Sequence, residues 1–293
     1  MKSKHDEKVS RRNFLQAGGA ALAVLGLSGN KTLGRFGAAD ALAKGKIPIG
    51  LQLYSVRKDC EKDFPKTLEA VAKMGYKGVE FAGYYERSAK DVRKLLDDNG
   101  LKCCGTHAQF DTLVGDALAK TVEFNTIIGN KYLICPWIPE EKRKTKQDWL
   151  DLAKLFNDIS AKAKPHGMFV GYHNHNFEFT PIDGEKPWDI FFGNTNKDVI
   201  MQVDTGNGLG AGADMIPFLR KYPGRAVTIH IKEFSAKNPN ALIGEGDINW
   251  KEVFAICEST GGTRWYIVED EKENLPALEC VKKTLENLHK MGK

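Results

Sequence analysis

From residue 47 onward the chain switches eight times between a short apolar or β-branched run and a longer amphipathic stretch. Short runs of this kind read as strands, and apolar spacings of three and four residues read as helices. Strands are predicted at 47–54, 78–81, 102–107, 131–136, 169–175, 199–204, 227–232 and 265–269. Helices are predicted between them at 64–74, 89–99, 115–128, 146–164, 188–192, 215–221, 250–259 and 276–291, with 188–192 carrying the weakest pattern. Asn99-Gly100 and His166-Gly167 read as glycine-terminated helix ends. Regular alternation implies a parallel sheet, because each parallel pair needs a crossover. Eight units in about 250 residues fit a closed α/β barrel, the (β/α)8 or TIM barrel. A doubly wound open sheet is the competing architecture. No G-x-G-x-x-G follows the first predicted strand, and Gly206-Asn207-Gly208-Leu209-Gly210 follows the sixth without a phosphate-loop lysine.

The 293 residues are 42% hydrophobic and 28% charged, which excludes extended disorder for most of the chain. Of the net charge of +5, residues 1–43 carry +4, so the body is close to neutral. A neutral body has no general attraction for nucleic acid or anionic membrane.

The charged leader has its own pattern. Ser10-Arg11-Arg12-Asn13-Phe14-Leu15 reads as a twin-arginine signal, followed by a weakly apolar run from Ala17 to Ser28 and a small-x-small cleavage site at Ala41-Leu42-Ala43. The apolar run is shorter than the ~20 residues that span a bilayer. An ordinary amphipathic helix is the alternative. The predicted division is a signal segment at 1–43 and one barrel at 44–293. The protein is then expected to be periplasmic or secreted, with the twin-arginine export machinery as a transient partner. No cysteine lies near the cleavage site, so no lipid anchor is indicated. An oxidising compartment permits disulfides. Cys103, Cys104 and Cys135, however, lie in apolar strand-like runs and read as free core thiols, and the six cysteines show no C-x-x-C pattern.

In a barrel the site lies at the C-terminal ends of the strands. Here those ends carry Glu80, His107, His173 and His175 with Glu178 just beyond, Asp204, His230 with Lys232, and Glu269. So many ionisable groups at one mouth are costly to desolvate without a cation, and a divalent metal with Asp, Glu and His ligands resolves the cost.

These residues carry a family resemblance. The segments 49–57, 78–81, 105–107, 172–179, 203–207, 230–232, 244–246 and 266–269, in that order and at strand ends, resemble the xylose-isomerase-like TIM barrels, in the branch of sugar phosphate isomerases and epimerases. The resemblance covers residues 46–290. It implies one divalent ion held from strands five to eight, which Asp204, His230 and Glu269 match on the last three. Strand five commonly supplies a glutamate there. This chain has His173, taken as the fourth ligand, with His175 and Glu178 as competitors. Mixed N/O ligands favour Mn or Zn, with Co or Mg as alternatives. Barrels of this branch are often homodimers.

The chemistry expected of such a centre is stabilisation of an enediolate as an α-proton leaves a sugar. Glu269 is the first candidate base, Lys232 a candidate donor or substrate ligand, and Glu178 a further acid–base candidate. Glu80, His107 and His175 are candidate holders of hydroxyls, with support of the metal ligands as the other reading of Glu80 and His107. Tyr54, Phe110 and Trp137 are candidates to stack on a sugar face. Phosphorylated sugars are mostly cytoplasmic, so an exported chain points to a non-phosphorylated carbohydrate. The leading expectation is an isomerase or epimerase, and a lyase or hydratase on 3-keto-glycosides uses the same residues. An apurinic-type endonuclease conflicts with the neutral body and with Asn207, where those enzymes carry another histidine. A non-catalytic sugar-binding protein would need no metal-linked base.

Overall fold

The computed structural model describes residues 46–293; the leader predicted at 1–43 lies outside the described residues. Eight strands occur in chain order: β1 Ile49–Gln52, β2 Gly78–Phe81, β3 Lys102–His107, β4 Tyr132–Cys135, β5 Phe169–His173, β6 Ile200–Gln202, β7 Thr228–Ile231 and β8 Trp265–Val268. The described α-helices are α1 Arg57–Met74, α2 Ala89–Asp98, α3 Phe110–Leu113, α4 Ala117–Ile127, α5 Lys146–Ala163, α6 Pro187–Asn194, α7 Thr205–Gly210, α8 Ile216–Lys221, α9 Trp250–Ser259 and α10 Ala277–Lys290. The sheet runs β6-β5-β4-β3-β2-β1-β8-β7, and each neighbouring pair is parallel. The circle closes between β6 and β7. His230 N donates to Val203 O at 2.8 Å, Met201 N donates to Arg225 O at 2.8 Å, and Asp204 and His230 form a parallel bridge. The fold is a TIM barrel, not an open sheet, and two strand-end site residues form its closing seam.

Local sequence accounts for the helix boundaries. Thr145 and Asp148 make a reciprocal capping box at the start of α5, and Ser88 caps α2. The predicted helix at 64–74 is the second part of α1. Asp63 leaves the helical region (φ −158°, ψ 89°), accepts Lys66 N at 3.1 Å and is followed by Pro65, so a new helix start is written inside a longer element. Gly100 and Gly167 adopt positive φ, as predicted for glycine-terminated ends. The predicted strands at 47–54, 169–175 and 199–204 are longer than the observed ones: Leu53–Val56 form a 3-10 turn after β1, β5 ends at His173, and past Gln202 the ladder continues only as the isolated bridge of Asp204 to His230. The glycine-rich 206–210 segment is α7, capped by Asp204 Oδ1 accepting Asn207 N at 2.7 Å. A Cβ on Gly206 would come within 2.8 Å of Lys232 Cγ, so this glycine serves close approach to β7 and not a phosphate.

Alternation sorts the strand residues into outer and inner faces. Leu51, Val79, Leu133, Val170, Met201 and Ile229 join the apolar shell under the helices. Inside the barrel, Ile134, Ile200 and Val227 form a small separate apolar group. Two residues further along β6, Gln202 begins a buried polar layer with Gln52, Glu80 and Thr228, and two further still stands Asp204. Gly105 makes room for that layer, since a Cβ there would lie 2.4 Å from Glu80 Oε1. All six cysteines are buried free thiols, Cys103, Cys104 and Cys135 among them. No helix among the described residues is long and apolar enough to cross a membrane.

Candidate metal centre and active site

His173 at the end of β5, Asp204 just past β6, His230 on β7 and Glu269 just past β8 converge above the polar layer. One potential ligand atom from each lies within 4.8 Å of the others, and all four residues are buried. In these four residues, His230 Nδ1 and Asp204 Oδ2 are buried with no hydrogen-bond partner among the described residues. His230 Nδ1 lies 2.8 Å from Glu269 Oε2 and 3.8 Å from Asp204 Oδ2, ion-pair contacts without hydrogen-bond alignment. Unpartnered buried polar atoms are costly, and a cation taking the place of a proton between them removes the cost. Two imidazoles and two carboxylates also form the donor set of Mn, Zn or Co sites. The residues present therefore fit a divalent ion.

A second group of potential ligands, His107, His173 and His230, overlaps the first. Its nitrogens already have protein partners. His107 Nε2 lies 2.9 Å and His173 Nδ1 lies 3.1 Å from Gln202 Oε1, and His230 Nε2 lies 2.5 Å from Glu80 Oε2. The unpartnered atoms make the upper group the better candidate to hold a metal ion.

Electrostatics follow from burial and contact. Burial and its histidine neighbours hold His173 well below the usual imidazole range, which keeps its imidazole neutral, the form a metal ion takes. Burial opposes charge on His230, but Glu80, Asp204 and Glu269 outweigh it and hold its pKa well up. Burial likewise opposes charge on Glu269 and Lys232. Their mutual contact of 2.8 Å, with His230 on the acid's other side, keeps Glu269 ionised and Lys232 protonated. Lys232 also lies 3.3 Å from Glu271, which pairs with Arg57 at 2.9 Å, so a chain of alternating charge runs from the centre to the rim.

The other predicted site residues have varied placements. Glu80 is fully buried, so it holds His230, Gln52 and Gln202 and no substrate hydroxyl. His107 is half-buried beside it, 3.3 Å from Glu80 Oε2. His175 lies beyond β5, with its ring 5.1 Å from Trp137 and from His173, and burial lowers its pKa to about 4. Tyr54 and Trp137 are exposed at the mouth, under the guanidinium groups of Arg57 and Arg143 respectively. Phe110 is buried and cannot stack on a ligand.

Glu178 corrects the sequence reading. It faces the outer shell, where Oε1 accepts the Tyr172 hydroxyl at 2.6 Å and Oε2 accepts His175 N at 3.0 Å. It therefore fastens the loop after β5 and lies outside the group of four. Burial raises its pKa to about 7. The unfolded carboxyl titrates near ~4.3, so the folded chain holds a proton that the unfolded chain has released between these values. Stability present at low pH is thus lost as pH rises through about 7. Glu178→Gln is expected to flatten this slope. The difference in unfolding free energy between pH 5 and 8 should shrink by roughly 1–3 kcal/mol in denaturant titrations.

Sequence reasoning missed the uncharged members of the site. Gln202 stands two residues before Asp204 and so shares its face, which was a usable signal. Asn174 joins the two strand ends, with Oδ1 accepting Asp204 N at 2.8 Å and Nδ2 donating to Asp204 O at 3.1 Å.

A family model described as xylose isomerase-like TIM barrel matches residues 68–291. The inosose dehydratase of Glaesserella parasuis serovar 5 (strain SH0165) is 27% identical over 285 residues, spanning 82% of this chain and 93% of that protein. The inosose dehydratase of Serratia proteamaculans (strain 568) is 26% identical over 259 residues, spanning 74% of this chain and 85% of that protein. Among solved structures, a sugar phosphate isomerase/epimerase from Parabacteroides distasonis ATCC 8503 superposes with a TM-score of 0.71 at 26% identity, covering 83% of this chain and 97% of that one.

Proposed function

The chain belongs to the xylose isomerase-like TIM barrel family, and on that premise we propose that it is an exported, metal-dependent lyase. Its substrate would be a non-phosphorylated keto-carbohydrate or keto-cyclitol, such as an inosose or a 3-keto-glycoside. The observation that carries this reading is the Glu269–Lys232 pair at the rim of the metal group, with no opposing carboxylate on the strand-five side among the described residues. His173 stands there instead, and Glu178 is turned outward. Epimerisation by two carboxylates needs one on each substrate face, whereas elimination needs one base and one nearby proton donor. The inosose dehydratases at 27% and 26% identity support the same class.

His173, Asp204, His230 and Glu269 would hold the ion. When bound, it supplies positive charge that stabilises the developing negative charge on the substrate's carbonyl oxygen. Glu269, kept ionised by Lys232 and His230, takes the proton α to the ketone. The C–H electron pair becomes a carbon–carbon double bond and the C–O bond to the β-substituent breaks. Lys232 donates a proton to the departing oxygen, so a β-hydroxyl leaves as water. Proton transfer from Glu269 to Lys232 across their 2.8 Å contact restores both groups. Tyr54 and Trp137 flank the mouth and offer apolar faces to a ring.

The test is NMR in D2O with the mature chain, loaded with Mn or Zn before inososes, 3-keto-glycosides and simple ketoses are offered. The expected result is a conjugated enone with release of water or aglycone. The Parabacteroides distasonis structure, by its description, supports a second reading, isomerisation or epimerisation. A stereoisomer carrying solvent deuterium, with nothing released, would establish that reading instead.

A further inference from the structure

The buried polar layer beneath the metal group carries one carboxylate, Glu80, hydrogen-bonded to Gln52, Gln202 and His230 and 3.3 Å from His107. We infer that Glu80 and Gln202 are positioning residues that choose which nitrogen of His230 and of His173 is offered to the metal. The inference rests on the metal assignment made above and goes beyond it to the residues that orient the ligands.

An ionised carboxylate only accepts hydrogen bonds. Gln52 Nε2 donates to Glu80 Oε2 at 2.8 Å, its amide turned that way because its Oε1 accepts Tyr54 N, and Gln202 Nε2 donates to Oε1 at 2.8 Å, so both carboxylate oxygens act as acceptors and His230 Nε2, 2.5 Å from Oε2, is the donor of its pair. His230 Nε2 therefore carries a proton. Its other nitrogen, Nδ1, is the one left without a hydrogen-bond partner beside Asp204 and Glu269. The same charge sets the Gln202 amide. Its NH2 donates to Glu80 and to Thr228 Oγ1 at 3.0 Å, so its oxygen must face the histidines. That oxygen lies 3.1 Å from His173 Nδ1, which must then carry the proton and leave Nε2 as the free lone pair. The site has space built for this arrangement, since any side chain at Gly105 would strike Glu80 Oε1. A carboxylate or amide behind a metal-bound imidazole fixes the tautomer and ring direction and strengthens the ligand.

The experiment is metal titration by chelator competition on the whole mature chain, comparing wild type with Glu80→Gln and Gln202→Leu. Glu80→Gln keeps the shape but sets an NH2 group against one of the donors. The metal dissociation constant should rise about 10–100-fold in each variant. Melting of the metal-free proteins identifies any general loss of fold. The Zn-loaded wild type is then examined by long-range proton–nitrogen NMR of its imidazoles. Coordination of His230 through Nδ1 and His173 through Nε2, with protons on the opposite nitrogens, supports the inference. Coordination through the opposite nitrogens, or variants that fold and bind metal as tightly as wild type, would overturn it while leaving the metal centre standing. A wild-type chain that takes up no metal would overturn both.

Discussion

A chain carrying Asp204→Ala together with His230→Ala is expected to hold no divalent ion, against about one per wild-type chain, when both are dialysed and analysed for metals. The expectation rests on the two atoms removed. Asp204 Oδ2 and His230 Nδ1 are the buried ligand atoms for which the described residues offer no hydrogen-bond partner. Their loss leaves His173 and Glu269, and Glu269 is already in contact with Lys232. Two donors in a buried pocket hold a divalent ion poorly. Stability needs its own control, because His230 is the ion-pair partner of the fully buried Glu80. Removing one partner of a buried pair costs about 3–5 kcal/mol. Asp204→Ala alone spares that pair, and it should lose most of the metal with a smaller fall in melting temperature. Retention of a full equivalent of metal by the double variant would rule out this group as the centre.

Lys232→Met is expected to keep its metal and to lower kcat by a factor of about 10²–10⁴, the range for removing a positioned acid or base. Lys232 lies outside the group of four, and its ammonium contacts Glu269 and Glu271. Its removal takes away the proton donor to the departing oxygen and the charge that holds Glu269 ionised. The pKa of Glu269 should then rise, because the cation that lowers it is gone. The acid limb of the pH–rate profile should accordingly move to higher pH in the variant. Unchanged kcat with an unmoved acid limb would remove Lys232 from the reaction. Loss of metal together with activity would mark it instead as support for the Glu269 ligand.

Much of the architecture was legible because its causes are local. Each strand prediction overlaps an observed strand, and β2 and β3 have the predicted bounds. The weakly patterned helix at 188–192 exists as α6, started by Pro187 and packed through Trp188, Phe191 and Phe192. The site was legible in part for the same reason. Asp204, His230 and Glu269 stand at strand ends, and a barrel brings strand ends to one mouth. The reading failed where a side chain's direction depends on more than strand phase. Glu178 turns outward to Tyr172, whereas His173 and His175, which alternation puts on one face, do lie with their rings 5.1 Å apart although β5 ends at His173.

Strand–helix alternation and charged strand ends, both sequence patterns, determined the barrel class and the acids and histidines around its mouth. Hydrophobic period and strand end are properties of a few neighbouring residues, so they can be read along a line. Tertiary structure alone decided that Glu178 fastens a loop to Tyr172, that Glu80 lies beneath the centre, and that Gln202 joins it. The roles of Glu80 and Gln202 are set by contacts reaching across the fold, 122 residues between Glu80 and Gln202 and 150 between Glu80 and His230, whereas Glu178 meets Tyr172 six residues away through the turn that follows β5. The desolvation that makes a buried carboxylate seek such partners exists only once the barrel has closed around it.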